Sequence, residues 1–158
     1  MAWQSNRRNY VIGSQVMEDK LQLLIWETNG QLYAGDVKYC LEVQNGKKIL
    51  DVPHSKKYIT GIVNLRGDIV TVLDLFVLME QKDLPDKNKA VIIRLKDNDK
   101  QVAVMADSVF EVIELHSNML ESAENHLSEK EFKYIPYIAR RENHLILIVN
   151  IPELFVIH

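Results

Sequence analysis

Short apolar runs, separated every few positions by turn residues, make up most of this chain. Residues 23–26 and 31–37 flank Thr28-Asn29-Gly30, and an Asn-Gly pair is typical of a tight β-hairpin turn. The same pattern predicts further strands at 39–43, 48–52, 59–65, 69–73, 90–95, 101–106, 109–115, 134–139 and 144–151. Many short strands with closely spaced turn signals favour an all-β fold over an α/β fold.

Only short helical segments are predicted between these strands. Asp74 is expected to cap a helical turn over 76–79, because a carboxylate at that place accepts exposed backbone N–H groups. Ser117 and Ser128 are predicted N-caps of short helices, and 152–158 is a predicted terminal helical turn. Residues 1–19 are interpreted as a tail or a short helix. Residues 80–89, almost wholly polar with one proline, are the predicted connector.

The order of the predicted elements repeats along the chain. Residues 34–43 align with 106–115, and residues 58–79 align with 134–155, although identities are few. Each half contains a strand, a turn, two further strands, then a hairpin and a helical turn. We therefore predict two small β-barrels of about five strands each, over roughly 20–79 and 90–158, with a seam between them.

Residues 58–75, YITGIVNLRGDIVTVLDL, place a few polar residues in an otherwise apolar hairpin. The turn is predicted at Arg66-Gly67-Asp68, where Gly67 supplies the positive φ that a tight reversal needs. The neighbouring residues are β-branched or aliphatic almost throughout, which suits buried strands. Asn64 and Arg66 are the polar exceptions on the first strand, and they make this hairpin a candidate site.

Composition narrows the class of protein. The 158 residues are 47% hydrophobic and 26% charged, which is typical of a globular protein, and the net charge of −3 gives no argument for nucleic-acid binding. Cys40 is the sole cysteine, which suits a reducing compartment. The N-terminus lacks the apolar core of a signal peptide, and no apolar run is long enough to span a membrane. The expectation is a soluble cytoplasmic protein without direct membrane insertion.

Motifs for chemistry are sparse. The histidines show no metal-ligand spacing, the glycines form no phosphate-binding loop, and no Gly-x-Ser-x-Gly elbow occurs. The sequence therefore predicts no catalytic residue, no metal site and no cofactor. The lysine pairs at 47–48 and 56–57 are expected to lie on loops rather than to form a nucleic-acid site.

Residues 59–75 resemble the signature of the CheW family of bacterial chemotaxis coupling proteins. The matching residues are Ile59-Thr60-Gly61-Ile62-Val63-Asn64-Leu65-Arg66-Gly67, then Ile69-Val70 and Val72-x-Asp74-Leu75. Weaker similarity takes in 33–43, 90–115 and 145–154, so the resemblance covers the chain from about residue 21. It implies one CheW-like domain over 20–158, built as two intertwined β-barrel subdomains whose strands can be exchanged between the halves.

The resemblance implies a non-catalytic signalling adaptor. Such proteins link the cytoplasmic tips of chemoreceptors (methyl-accepting chemotaxis proteins) to the regulatory domain of a CheA-type histidine kinase, in arrays at the membrane. A receptor tip is a helical hairpin, and an apolar groove with a few fixed charges suits a helix laid along it. Carried over to this sequence, the receptor-binding groove between the barrels would be lined by Cys40, Glu42, Gly61, Arg66, Ile92 and Val112.

We further expect Glu42 to pair with Arg66 and to hold its guanidinium in a bidentate geometry facing the groove. For most of these residues a simpler reading stays open. Glu42 could be an outward residue of an alternating strand. Arg66 could be a solvated turn residue, Ile92 and Val112 could belong to the core, and Gly61 could serve only close strand packing. The competing function is a small β-barrel module that binds a small molecule or nucleic acid.

The chain also departs from the family pattern. Thr71 stands where the family often has proline, and Phe76 stands where an arginine commonly follows Asp-Leu. Pro136 and Tyr137 replace a glycine-containing step that is common in the second barrel. These segments flank strand ends, which is where a kinase could make contact.

Overall fold

A computed structural model describes residues 11–12, 15–16, 20–80, 86–87 and 90–156. Its strands are β1 (Val11–Ile12), β2 (Gln15–Val16), β3 (Lys20–Thr28), β4 (Gln31–Asp36), β5 (Cys40–Gln44), β6 (Ile59–Leu65), β7 (Asp68–Leu73), β8 (Val91–Asp97), β9 (Lys100–Ala106), β10 (Ser108–His116), β11 (Glu121–Ser122), β12 (Tyr137–Arg141) and β13 (His144–Ile148). Its helical segments are α1 (Leu75–Leu78), α2 (Glu129–Tyr134) and the 3-10 turns Val37–Tyr39, Ser117–Met119 and Ile151–Phe155. The prediction of a mainly β fold with short helical turns is confirmed.

The strands form two main sheets that each draw on both halves of the chain. One sheet has the order β10-β3-β4-β13-β12-β11, and the other has the order β5-β8-β9-β7-β6. β1 and β2 form a separate antiparallel pair where a tail or a helix was expected. Among the described residues the end strands of neither sheet pair with each other, so both sheets are open rather than closed barrels.

The two sheets share one topology. β5, β8, β9, β7 and β6 correspond in order to β10, β3, β4, β13 and β12 of the other sheet. In each set the third and fourth strands pair in parallel, and every other neighbouring pair is antiparallel. The repeat read from the sequence is therefore present, but its halves exchange strands. Neither half of the chain forms either of the two main sheets alone.

Hydrogen-bond register tests the two predicted alignments. The Asp74 amide donates to the Tyr58 carbonyl at 2.7 Å, and the Asn150 amide donates to the Tyr134 carbonyl at 2.8 Å. These equivalent bonds confirm the alignment of 58–79 with 134–155.

The alignment of 34–43 with 106–115 is wrong by a few positions. Ala34 pairs with Ile148, whose equivalent Val72 pairs with Ala103. Ala34 therefore corresponds to Ala103 rather than to Ala106. When two strands are apolar on both faces, an alignment shifted by a few residues still matches apolar residues to apolar residues. The sequence pattern therefore does not fix the register here.

Both faces of each sheet are buried, which explains the nearly continuous apolar runs. A central cluster between the sheets includes Trp26, Ile93 and Leu95. A second cluster, with Leu23 and Ile25, covers the other face of the six-stranded sheet. A third cluster covers the other face of the five-stranded sheet and includes Val63, Leu65, Val72, Ile92 and Ala103. Successive residues of β3 and β8 alternate between these clusters, as the two-residue period of a strand requires.

Several local predictions need correction. Residues 48–52 form no strand; Leu50 makes only an isolated bridge to Ile62. Tyr134 ends α2, so the strand predicted at 134–139 begins at Tyr137 instead. His116, not Ser117, precedes the 3-10 turn, and its side chain makes no cap hydrogen bond. Most of the predicted connector 80–89 lies outside the described residues.

The helix caps predicted at Asp74 and Ser128 are confirmed. The buried Asp74 Oδ1 accepts from the amides of Phe76 at 3.0 Å and Val77 at 3.1 Å. Burial raises the pKa of Asp74 above its ordinary value, although these two amides act to lower it. Ser128 and Glu131 form a capping box at the start of α2. Phe76, where the family often has arginine, is buried edge-to-face on Tyr33.

Gly61 lies where the segment around Leu50 approaches β6 most closely. A Cβ at this position would stand 2.3 Å from the Leu50 carbonyl oxygen and 2.8 Å from Ile49 Cγ2. Leu50 and Ile62 are joined by two backbone hydrogen bonds of 2.8 and 2.9 Å. Moving the Leu50 segment away from a new Cβ would strain or break these bonds. The glycine is therefore explained by close backbone packing.

Gly61→Ala is expected to lower the free energy of unfolding by about 1–3 kcal/mol, the usual cost of overpacking. Urea unfolding measured by circular dichroism checks this. Ile69→Ala on the neighbouring strand is the control, because Ile69 is 63% exposed. Equal stability of Gly61→Ala and the wild type would contradict the packing explanation.

Candidate partner-binding site

The hairpin between β6 and β7 closes through a two-residue turn. Arg66 and Gly67 both have positive φ, at 55° and 89°, which is the backbone of a type I′ turn. The side-chain oxygen of Asn64 accepts a 2.9 Å hydrogen bond from the Gly67 amide. The turn prediction is confirmed, and the polar Asn64 is explained by its bond to the turn backbone. The Arg66 side chain is 73% exposed beside it.

Glu42 on β5 connects this turn to the sheet. Its Oε2 accepts a 2.7 Å hydrogen bond from Arg66 Nε, and its Oε1 accepts a 3.0 Å bond from Arg94 Nη1. The expected pairing of Glu42 with Arg66 is confirmed. The expected bidentate geometry is wrong, because the second carboxylate oxygen is occupied by Arg94. Glu42 therefore joins an exposed guanidinium to a buried one.

Arg94 on β8 is the centre of this polar network. Its side chain is only 7% exposed, and a buried charge is costly unless it is paired and hydrogen-bonded. Arg94 Nη2 donates to Asp68 Oδ2 at 2.7 Å, Nη1 donates to the Leu65 carbonyl at 3.3 Å, and Nε donates to Gln101 Oε1 at 2.8 Å. Strands β5, β6, β7 and β9 all supply acceptors to this one side chain.

Arg94, Asp68 and Gln101 belong to the site although the sequence motif does not include Arg94 or Gln101 and marks Asp68 only as part of the turn. A signal for Arg94 was present, because it is the only charged residue in the apolar run 90–95. The local sequence indicates only a turn residue at Asp68 and only the start of a strand at Gln101.

The network shifts the pKa values of its members. Hydrogen bonds from Arg66 and then Arg94 lower the pKa of Glu42 from 4.5 to about 2. The pKa of Arg94 is raised, chiefly by the hydrogen bond to Asp68. Glu42 is therefore a carboxylate at any physiological pH, and it anchors Arg66 with a fixed charge.

The other residues carried over from the resemblance lie in different environments. Cys40 on β5 is half-buried, and burial raises the pKa of its thiol to about 12. Gly61 is buried beneath the Leu50 segment. Ile92 is fully buried in the third cluster, so its side chain offers no surface to a partner in this conformation. Val112 is 51% exposed, but it lies on β10, the edge strand of the other sheet.

The described residues show two further properties of the molecule. No group of three or more histidine, cysteine, aspartate or glutamate side chains within 11–12, 15–16, 20–80, 86–87 and 90–156 could hold a metal ion. No helix in the same ranges combines the length and apolar character needed to cross a bilayer.

A family model for the CheW-like domain matches residues 22–157. This chain belongs to the CheW family. The match includes both main sheets, apart from the first two residues of β3, and every member of the Arg94 network.

Individual relatives from the CheW family agree with this assignment. The chemotaxis protein CheW of Bacillus subtilis is 28% identical over 131 residues, which cover 82% of this chain and 83% of the relative. The chemotaxis protein CheW of Thermotoga maritima is 26% identical over 135 residues, covering 85% and 87%. The crystal structure of the scaffolding protein TtCheW from Thermoanaerobacter tengcongensis has the same fold, with a TM-score of 0.72 at 23% identity. That similarity covers 84% of this chain and 90% of the other.

Arg94→Met is expected to lower the free energy of unfolding by about 3 kcal/mol, because it leaves partly buried acceptors without their donor. Urea unfolding of the variant against the wild type measures this loss. Lys96→Met on the same strand is the control, since Lys96 is exposed. Similar losses in the two variants would show that the network has no special role in stability.

The Glu42 carboxyl group is expected to titrate with a pKa of about 2 in the folded protein, well below its ordinary pKa of 4.5. Because the folded pKa is depressed, the stabilisation is complete above the ordinary carboxylate range and is lost as the pH falls towards about 2. Carbon-detected NMR titration checks the midpoint. Arg66→Ala should raise it towards 4.5, whereas Lys96→Ala should not. An unchanged midpoint in Arg66→Ala would contradict the assigned cause.

Proposed function

We propose that this chain is a non-catalytic signalling adaptor that couples chemoreceptor cytoplasmic tips to the regulatory domain of a CheA-type histidine kinase. Membership of the CheW family supports the adaptor function, and it does not support the alternative of a barrel module for a small molecule or nucleic acid. The proposed location is the cytoplasm, at membrane-associated receptor arrays. No catalysis is proposed, in keeping with the scaffolding protein of the same fold.

The observation that carries the receptor-binding proposal is the anchored, exposed Arg66. Its guanidinium is held by Glu42 at 2.7 Å, and Glu42 is itself held by the buried Arg94 at 3.0 Å. A long side chain normally loses rotamer entropy when it binds, and an anchor reduces that loss. The network therefore presents a positive charge in a defined place for a partner to meet.

Apolar surface next to this charge supports the same proposal. Leu41 and Val43 flank Glu42 on β5 and are 50% and 41% exposed. Cys40 and Val43 pair with Leu95 and Ile93, so they lie on the face of β5 opposite Glu42, which pairs with Arg94. Because β5 is an edge strand, a receptor helix laid along that edge would meet this apolar surface and the Arg66 cation together. Val112 would contribute from the other sheet. Gly61 and Ile92 would act through packing, because both are buried.

Kinase coupling is the second half of the proposed function. The regulatory domain of such kinases resembles this family in fold, so we propose that the chain and that domain associate side by side. Thr71 and Phe76 depart from the family pattern near the strand ends, yet Phe76 is buried and Thr71 lies within the parallel pairing of β7 with β9. Their effects would therefore reach a kinase through packing.

Arg66→Ala is expected to bind a receptor cytoplasmic tip at least about tenfold more weakly, as for a central arginine in an interface. Its free energy of unfolding should fall by less than about 1 kcal/mol, since Arg66 is 73% exposed and Glu42 keeps its hydrogen bond from Arg94. Co-sedimentation with membranes that contain receptor and kinase measures the binding, and a thermal melt measures the stability.

Arg140→Ala is the matched control for this experiment. Arg140 lies in the equivalent hairpin and forms an exposed ion pair with Glu121 at 3.4 Å. The Arg140→Ala variant should bind the receptor tip as tightly as the wild type does. Normal binding by Arg66→Ala, or an equal loss in both variants, would refute the assignment of Arg66 as a receptor contact.

A further inference from the structure

The shared topology of the two sheets allows the Arg94 network to be compared with the same place in the other sheet. In the five-stranded sheet, Arg94 pairs with Ala103. In the six-stranded sheet, Ile25 pairs with Ala34, the residue equivalent to Ala103. Ile25 therefore occupies the position of Arg94, and an aliphatic residue replaces the buried cation.

The neighbours of Arg94 have equivalents as well. Glu111 precedes Val112 on β10 as Glu42 precedes Val43 on β5, and both glutamates follow an exposed apolar residue at a bulge. Glu142 opens its two-residue turn with a φ of 50°, as Arg66 does with 55°. By the same register Leu32 takes the place of Gln101.

The space between the edge strand and the hairpin turn is filled differently in the two sheets. In the five-stranded sheet, Arg94 and its acceptors occupy the space between β5 and the hairpin turn. In the six-stranded sheet, the aliphatic Ile25 and Leu32 cannot form such a network, and a cavity of about 390 Å³ remains. This volume falls within the range of about 300–1,000 Å³ that is usual for small-ligand sites.

The cavity is an open depression with an apolar floor and a charged rim. Ile25, Leu32 and Ile146 line it, and Phe110 stands at its edge with 55% of its surface exposed. Glu27, Glu111 and Glu142 also line it, together with Arg141 and His144.

The charges at the edge do not cancel. Arg141 Nη1 lies 3.3 Å from Glu111 Oε1, so these two charges compensate each other. Within the part of the chain that the structure describes, the carboxylates of Glu27 and Glu142 form no salt bridge and accept no hydrogen bond from a side chain. An apolar floor beside two carboxylates without a protein partner among the described residues is complementary to a molecule with an apolar body and one positive charge.

We propose that this cavity is a second binding site, for a small organic cation such as an amphiphilic amine. The apolar body would lie against Ile25 and Leu32, and the ammonium group would lie between Glu27 and Glu142. The site is separate from the proposed receptor contacts at Glu42 and Arg66, and it does not depend on the adaptor function. It would give the adaptor a way to sense or bind a metabolite of this chemical class.

The test uses three probes with the same apolar chain: octylamine, octanol and octanoate. Binding is followed by methyl NMR of the 158-residue chain, with the Ile25 and Leu32 methyl signals as reporters. Octylamine is expected to shift both signals and to bind about three- to tenfold more tightly than octanol, from two partly exposed ion pairs. Octanoate should bind more weakly than octanol.

Variants separate charge from shape. The double variant Glu27→Gln with Glu142→Gln should bring the affinity for octylamine down to that for octanol. Ile25→Arg should fill the cavity, and a thermal melt shows whether that variant folds. Leu32→Gln is the milder replacement at the same cavity, and it should weaken all three probes. Lys96→Gln, at the position equivalent to Glu27, is the control and should leave binding unchanged.

Two results would overturn the proposal. One is that octylamine leaves the Ile25 and Leu32 signals unshifted, or binds no more tightly than octanol. The other is that the double glutamate variant keeps the full preference for octylamine. Neither result bears on receptor binding, so failure here is distinguishable from failure of the adaptor proposal.

Discussion

The buried guanidinium of Arg94 is the interaction on which the candidate site depends. A charge at 7% exposure needs acceptors on every side, and four strands supply them through Glu42, Leu65, Asp68 and Gln101. The same bonds fix the edge strand β5 and the β6–β7 turn relative to β8. The exposed Arg66 is positioned at the end of this chain of contacts, so a buried residue determines where the surface charge lies.

Strand exchange is the second constraint on the molecule. β3 and β4 complete a sheet with strands from the far half of the chain, while β5 leaves to join β8. The site therefore combines Glu42 from an early strand, Arg66 from a hairpin and Arg94 from beyond the polar segment at 80–89. Each main sheet needs strands from both halves of the chain, and the site draws its residues from both halves as well. The site cannot form in either half alone.

The two related sheets use the same backbone position in different ways. One copy contains a charged network beneath the proposed partner contact, and the other contains an open cavity with an apolar floor and a charged rim. Ile25 at the place of Arg94 removes the centre of the network, and Leu32 at the place of Gln101 removes one of its acceptors. Duplicated backbones can thus keep their pairing register while their side chains specialise.

The sequence by itself determined the fold class, the main hairpins, the helix caps at Asp74 and Ser128 and the family, because these depend on local patterns of period, turn and motif. It also indicated the pairing of Glu42 with Arg66. Only the tertiary structure decided the register of the first alignment, the burial of Ile92 and the central place of Arg94. An arginine within an apolar strand becomes a network centre only when distant strands bring acceptors to it. Those distances depend on sheet pairing and not on local sequence.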